Sequence, residues 1–127
     1  MADRCNCCMV TVDDKVGILA DIGDKLKEAG INIQAICAWT EGETGKLLAC
    51  TDNDEQACEI FKGFGECGWM EVLCVEVENQ PGGLAAVARK LADAGINIDM
   101  VYATVTGGST CRVVLSTTDN AKAAELI

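Results

Sequence analysis

Two short stretches carry residue types able to hold a small charged molecule. Glu78-Asn79-Gln80-Pro81-Gly82-Gly83 and Asp13-Asp14-Lys15-Val16-Gly17 each join an apolar run to a helical pattern. Pro81 suits a first helical turn, where its missing N–H is not needed. Gly82 and Gly83 let a ligand or another backbone come close. Free N–H groups at a helix start attract a carboxylate or phosphate through their partial positive charge, and Asn79 can both donate and accept hydrogen bonds. The same residues also make an ordinary turn and cap. Asn32 and Asn97, in two Gly-Ile-Asn-Ile turns, are open to that plainer reading as well. A third group, Cys5-x-Cys7-Cys8, offers thiolates to a soft metal. Its spacing is not Cys-x-x-Cys, and a fourth ligand such as Cys67 would have to come from afar. Strand alternation also sends Cys5 and Cys7 to one side and Cys8 to the other. No metal and no cofactor is therefore expected.

Catalysis finds little support. The chain has no His, so a Ser-His-Asp or Cys-His site cannot be built from it. The Gly63, Gly65, Gly68 stretch lacks the Lys of a phosphate-cradling loop. No catalytic residue is assigned. The balance of 20 acidic against 10 basic residues, with no Lys/Arg cluster, argues against nucleic acid and against an acidic membrane surface. No apolar run reaches the length of a membrane span, and MADRCNCC lacks a signal-peptide pattern, so a cytoplasmic protein is expected. The nine Cys are an odd number. Without an export signal no disulfide is expected. Cys37, Cys50, Cys74 and Cys111 lie in apolar runs and read as small buried hydrophobes.

The elements that position these residues occur twice. Residues 10–42 recur as residues 75–107 at an offset of 65, with 14 of 33 positions identical, including the block Lys-Leu-x-x-Ala-Gly-Ile-Asn-Ile. Such a match marks an internal duplication. Residues 5–12 read as a strand and 17–29 as a helix, with Leu19, Ile22, Leu26 and Ala29 on one face and Gly30 as its stop. Residues 31–40 and 46–51 read as strands. Asp52–Asp54 supply cap chemistry for a helix through Ala57, Ile60, Phe61 and Phe64. Residues 69–78 are strand again. The second copy repeats the order, with Leu84, Val87, Leu91 and Ala94 on its helix and Thr118, Asp119 and Asn120 mirroring Thr51, Asp52 and Asn53 at an offset of 67. The order β-α-β-β-α-β predicts an α+β fold of two ferredoxin-like units, residues 1–70 and 71–127, with antiparallel sheets and helices on one face. The second unit lacks a closing strand, which is missing or exchanged. An open sheet edge seeks a partner, so a homodimer is expected.

At Asn79–Leu84 (Asn-Gln-Pro-Gly-Gly-Leu) and Leu91–Ile98 (Leu-x-x-Ala-Gly-Ile-Asn-Ile), with weaker copies in the first half, the chain resembles the ACT domain, a ligand-binding module of amino-acid metabolism. The resemblance covers almost the whole chain as a tandem pair and implies the βαββαβ fold. It implies a free amino acid held between two ACT units, its polar groups on the strand-to-helix loop of one and the start of the Gly-Ile-Asn-Ile strand of the other. Carried over, Asn79, Gln80, Pro81, Gly82, Gly83 and Leu84 match the loop, and Asn97 and Ile98 the opposing wall. In the first unit Asp14, Gly17, Ile18, Leu19, Asn32 and Ile33 take those places. Asp14 stands where the family favours Asn, and Val16 where it favours Pro. An acidic group there repels a ligand carboxylate but can hold an ammonium.

Four functions follow for weighing. The first is a module that senses an amino acid and signals through its own assembly or a separate metabolic enzyme. The others are a Cys-based metal protein, an enzyme, and a scaffold whose pockets are lost. The first is the reading adopted. Trp39 and Trp69 are read as packing or interface residues.

Overall fold

The apolar periods at residues 17–29 and 82–94 fold as helices, and the alternating runs between them as strands. The computed structural model describes residues 2–105 and 107–127. In chain order the elements are β1 (Asp3–Asp13), α1 (Ile18–Glu28), β2 (Ile33–Glu41), β3 (Thr44–Thr51), α2 (Asp54–Lys62), β4 (Glu66–Glu78), α3 (Gly83–Asp93), β5 (Ile98–Val105), β6 (Thr110–Thr117) and α4 (Asn120–Leu126). The fold is α+β with antiparallel strands, as expected for ferredoxin-like units. Asn6–Met70 form one compact unit. The stretch ending at Cys5 joins Glu71–Ile127 in the other.

In the unit Asn6–Met70, β3 pairs antiparallel with β1 and with β2. Alternation places Cys8, Val10 and Val12 of β1 beside Leu47 and Ala49 of β3 on one face. There they pack against Ile22 and Leu26 of α1 and Ala57, Cys58 and Phe61 of α2. Leu19, expected on the packed face of α1, is instead 52% exposed. It lies in the first turn and borders a depression between the helix and the sheet.

The cysteine expectation fails in part. Cys7 and Cys50 are disulfide-bonded, with Cα atoms 5.1 Å apart, a span suited to a bridge. The cause is register. Cys8 pairs with Ala49, so one residue further along Cys7 faces Cys50, on the sheet face away from the helices. Cys37, Cys74 and Cys111 are free and half-buried rather than fully buried.

In the other unit β6 pairs with β4 and with β5, setting Leu73 opposite Leu115 and Val75 opposite Val113. These side chains pack on Val87 and Leu91 of α3 and Ala123 of α4, and Ala2 is buried among them. The Ala2 N–H donates to the Ile127 carbonyl at 3.1 Å. The Arg4 guanidinium reaches both carboxylate oxygens of Glu71 at 3.0 Å, an exposed pair worth about 0–1 kcal/mol.

Hydrogen bonds correct the match between the two copies at the second helices. Asn53 accepts from Gln56 N–H, and Asp119 accepts from Lys122 N–H, each as an N-cap. Asp54 Oδ1 accepts from the N–H and hydroxyl of Thr51 at 2.8 and 2.9 Å. Asn120 Oδ1 does the same for Thr117, both at 2.8 Å. Thr51 is therefore equivalent to Thr117, not Thr118, and the caps repeat one residue closer than the shared Thr-Asp-Asn letters imply. These bonds also satisfy the two buried threonine hydroxyls.

Two glycines test the packing in opposite directions. A Cβ on Gly83 would overlap the Glu78 carbonyl oxygen, whereas one on Gly23, inside α1, meets nothing within 4 Å. Gly83→Ala is expected to destabilise by about 1–3 kcal/mol. Gly23→Ala is expected to stabilise by about 0.5–1 kcal/mol through helix propensity and a less free unfolded chain. Urea midpoints at constant slope measure both.

Candidate functional site

The passage from the first strand into the first helix has the same backbone in both units. Gly17 precedes α1 at φ 88°, ψ −2°, and Gly82 precedes α3 at φ 90°, ψ −7°. The left-handed conformation turns the chain sharply out of the strand, and only glycine adopts it without strain. Asp14 N–H donates to the Glu43 carbonyl at 3.0 Å and Asn79 N–H to the Ser109 carbonyl at 2.9 Å, tying each loop to its neighbouring hairpin. Val16 in place of Pro81, and Ile18 in place of Gly83, thus leave the cap conformation intact, while the Gln80 N–H bond to the Glu78 carbonyl, which crowds Gly83, belongs to the second loop.

A glycine at the cap position brings no side-chain oxygen, and neither helix start has a side-chain cap. The N–H groups of Leu19 and Ala20, and of Leu84 and Ala85, find no partner among the described residues. These are the orphan donors of a helix terminus, in reach of an external acceptor.

In the unit Asn6–Met70 this passage borders a depression of about 190 Å³, lined by Asp14, Ile18, Leu19 and Ile22 on the loop and helix side and by Val12, Ala38, Thr40, Gly45 and Leu47 on the sheet side. Trp39 and Lys46 also border it, but alternation sends their side chains to the opposite face, so their backbone forms the rim. The Trp39 indole N–H instead donates to Glu41 at 3.0 Å. Asp14 is thus the charged side chain at the mouth, and the floor is apolar. The volume lies below the ~300–1,000 Å³ of drug-sized sites and suits a small metabolite.

The predicted opposing wall is elsewhere in that unit. Asn32 and Ile33 line a separate hollow with Gly23, Leu26, Lys27, Gly30 and Ile31. Asn32 N–H donates to Asp52 Oδ1 at 2.9 Å, fixing the strand start to the segment before α2. Gly17 shapes the loop without lining the depression.

The other unit holds its predicted residues more tightly. Asn79 Nδ2 donates to the Gly108 carbonyl at 3.3 Å, and Gln80 Nε2 to Glu78 at 2.7 Å. Asn97 Nδ2 bonds the Ile98 carbonyl at 3.3 Å and Asp99 Oδ1 at 3.1 Å. Pro81 and Gly82 are exposed and Gly83 is half-buried. Leu84, like Leu19, projects from the first helical turn and is 45% exposed.

The run Cys5-x-Cys7-Cys8 is dispersed. Cys7 is bridged to Cys50, and Cys8 faces the helices. Cys5 stands beside Cys74, whose thiol is pushed up to about 11 by burial first and then by the Cys5 charge. The floor of the depression was the part hidden from sequence reasoning. Ala38, Thr40 and Gly45 become its wall only through the β2–β3 register, which sets Ala38 opposite Leu47 and Thr40 opposite Gly45.

No curated protein sequence matches the chain. Among solved structures, protein BT0572 from Bacteroides thetaiotaomicron is similar over 98% of this chain and 87% of its own, at 23% identity and a TM-score of 0.90. The regulatory subunit of aspartate kinase from Thermus thermophilus, in a ligand-free form, is similar over 89% of this chain and 83% of its own, at 20% identity and a TM-score of 0.68. The corresponding subunit from Thermus flavus covers 98% and 90%, at 20% identity and a TM-score of 0.65. These likenesses are of fold. In sequence, residues 72–127, nearly the whole of the second repeat, match the family model of the ACT domain.

Proposed function

We propose that this protein is a non-catalytic regulatory module that senses a free amino acid. The observation that carries the reading is the small depression at the β1–α1 passage, where Asp14 and an uncapped helix start flank an apolar floor. The arrangement is complementary to a zwitterion. Asp14 takes the ammonium, the N–H groups of Leu19 and Ala20 take the carboxylate, and Ile18, Ile22 and Leu47 take an apolar side chain. The ACT match over residues 72–127 and the fold shared with aspartate kinase regulatory subunits support the same class.

The finer proposal extends the loop sites, with Asn79 to Leu84 as a second ligand loop. Asn32 and Ile33, with Asn97 and Ile98, form the wall that a second chain presents. Exposed Leu19 and Leu84 then become covered in a homodimer, and a separate metabolic enzyme receives the signal in the cytoplasm, without nucleic acid or membrane. A ligand-free oligomerisation module is the second reading. Its support is that the Asn79 amide is spent on the Gly108 carbonyl of the neighbouring hairpin, and the Asn97 amide on Ile98 and Asp99 beside it.

A thermal-shift screen against the twenty amino acids separates the two. One amino acid at about 100 times its Kd adds about 2.7 kcal/mol, a rise of about 10 °C for a chain of this size. Asp14→Ala removes a charged hydrogen-bond partner and is expected to weaken binding roughly 10- to 100-fold. Asn79→Ala shows whether the second loop takes part. If no amino acid moves Tm or the oligomeric state, the sensing proposal is wrong and the scaffold reading stands.

Light scattering with and without the binder tests the assembly. A homodimer is expected, tightened by ligand, and Leu19→Glu with Leu84→Glu is expected to give monomers that keep the native circular dichroism. Monomers in the unaltered protein at high micromolar concentration would reject it.

A further inference from the structure

Three thiols from three separate elements of the unit Asn6–Met70 converge beneath α2. Cys8 of β1, Cys58 of α2 and Cys67 of β4 place their sulfurs all within 4.8 Å of one another. The Cys8 and Cys58 sulfurs are 2.7 Å apart. Cys8 and Cys58 are buried and Cys67 is half-buried. Around them lie Val10, Ala57 and Phe61. The cluster supplies little cohesion as it stands, since thiols are weak hydrogen-bonding groups. Cys67 makes long contacts to the Cys58 carbonyl at 3.9 Å and the Gly65 carbonyl at 3.8 Å. Ordinary apolar residues would fill the space.

We propose that Cys8, Cys58 and Cys67 form a three-thiolate site for a soft, thiophilic metal ion of the Cu(I), Zn(II) or Cd(II) class. Thiolate ligands select this class. With a metal–sulfur bond of about 2.3 Å, ligand sulfurs stand about 3.8 Å apart. That spacing falls between the shortest separation in the cluster and its upper limit, so side-chain rotations of about an ångström suffice. Three ligands rather than two distinguish this group from the bridged Cys7–Cys50 pair, because a Cys8–Cys58 disulfide would leave Cys67 idle.

Access and charge fit the assignment. Cys58 borders one surface hollow with Asn53, Glu59 and Lys62, and Cys67 borders another with Met9 and Glu66. The Lys62 ammonium, held mainly by Glu59, also feels the charges of Cys58 and Cys67. Its charge, shared with Glu59 at 2.8 Å, offsets part of the net negative charge of three thiolates around a monovalent or divalent ion. No fourth His, Cys, Asp or Glu among the described residues joins the group, which leaves a trigonal site or one completed by water. On binding, three S–H bonds break and three metal–sulfur bonds form. Three protons leave to solvent, and no electron moves.

Cadmium titration of the full chain in oxygen-free buffer, without added thiols, tests the site. The ultraviolet thiolate-to-cadmium absorption is expected to saturate at one ion per chain, with three sulfurs in the first shell by X-ray absorption. Cys67→Ser is expected to weaken binding at least about 100-fold, more than the loss of an outer-shell partner, while Cys74→Ser, in the other thiol pair, leaves it unchanged. A titration indifferent to Cys67→Ser would overturn the proposal, as would a first shell of two sulfurs or fewer. So would a Cys8–Cys58 disulfide in the anaerobically purified chain. If Cys67→Ser does not fold, the sulfur count on the unaltered chain decides.

Discussion

The left-handed turn out of the first strand of each unit governs what lies downstream. At Gly17 and Gly82 the backbone takes a φ near +90°. It reverses within a few residues, sending α1 and α3 back across their sheets to cover Val12 and Leu47 in one unit and Val75 and Val113 in the other. The same constraint empties the cap. A residue chosen for its lack of a side chain cannot also close the helix with one. The other helix of each unit shows the alternative, since α2 and α4 are sealed by Asn53 and Asp119. Each unit therefore owns one closed helix start and one open one. Beside the open ones stand three exposed apolar residues, Val16, Leu19 and Leu84. Polar capacity and apolar surface left unused in one place are what a ligand or a second subunit requires.

The main architecture was legible because its signals are periodic. Ile22 and Leu26, and again Val87 and Leu91, are spaced for one helix face and are buried. The Gly-Ile-Asn-Ile turns mark where those helices give way to strands. The cap register was misread by one residue because letters were matched instead of bonds. Thr51 and Thr117 are equivalent through the carbonyl-bearing side chain three positions on, which is Asp54 in one copy and Asn120 in the other. Spacing puts Leu19 on the same face as Ile22 and Leu26, but does not show that this part of the face borders an open depression.

The cysteines were the least legible part, for a reason of geometry. Cys7 and Cys8 are adjacent in sequence, yet a strand points them to opposite faces. One meets Cys50 across β3, and the other meets Cys58 and Cys67 beneath a helix. No local pattern reports such partners, which lie 43 to 59 residues away. Register and helix placement decide them. Of the candidate site, the loop residues Asp14, Ile18 and Leu19 were readable from the duplicated motif. The sheet wall was not, since it exists only once β2 and β3 pair.

The residues ahead of Asn6 belong with Glu71–Ile127, and this sets an order on the nascent chain. As the protein emerges from the ribosome, Asn6–Met70 have every strand they need once Met70 is out. Ala2 and Arg4 precede Asn6–Met70 in the chain, yet their partners Leu73, Glu71 and Ile127 follow it. Until Glu71–Ile127 are made, the segment before Asn6 therefore stays an unsatisfied strand. The unit holding Glu71–Ile127 takes in a segment made before Asn6–Met70, so it closes only after the whole of that other unit has been synthesised.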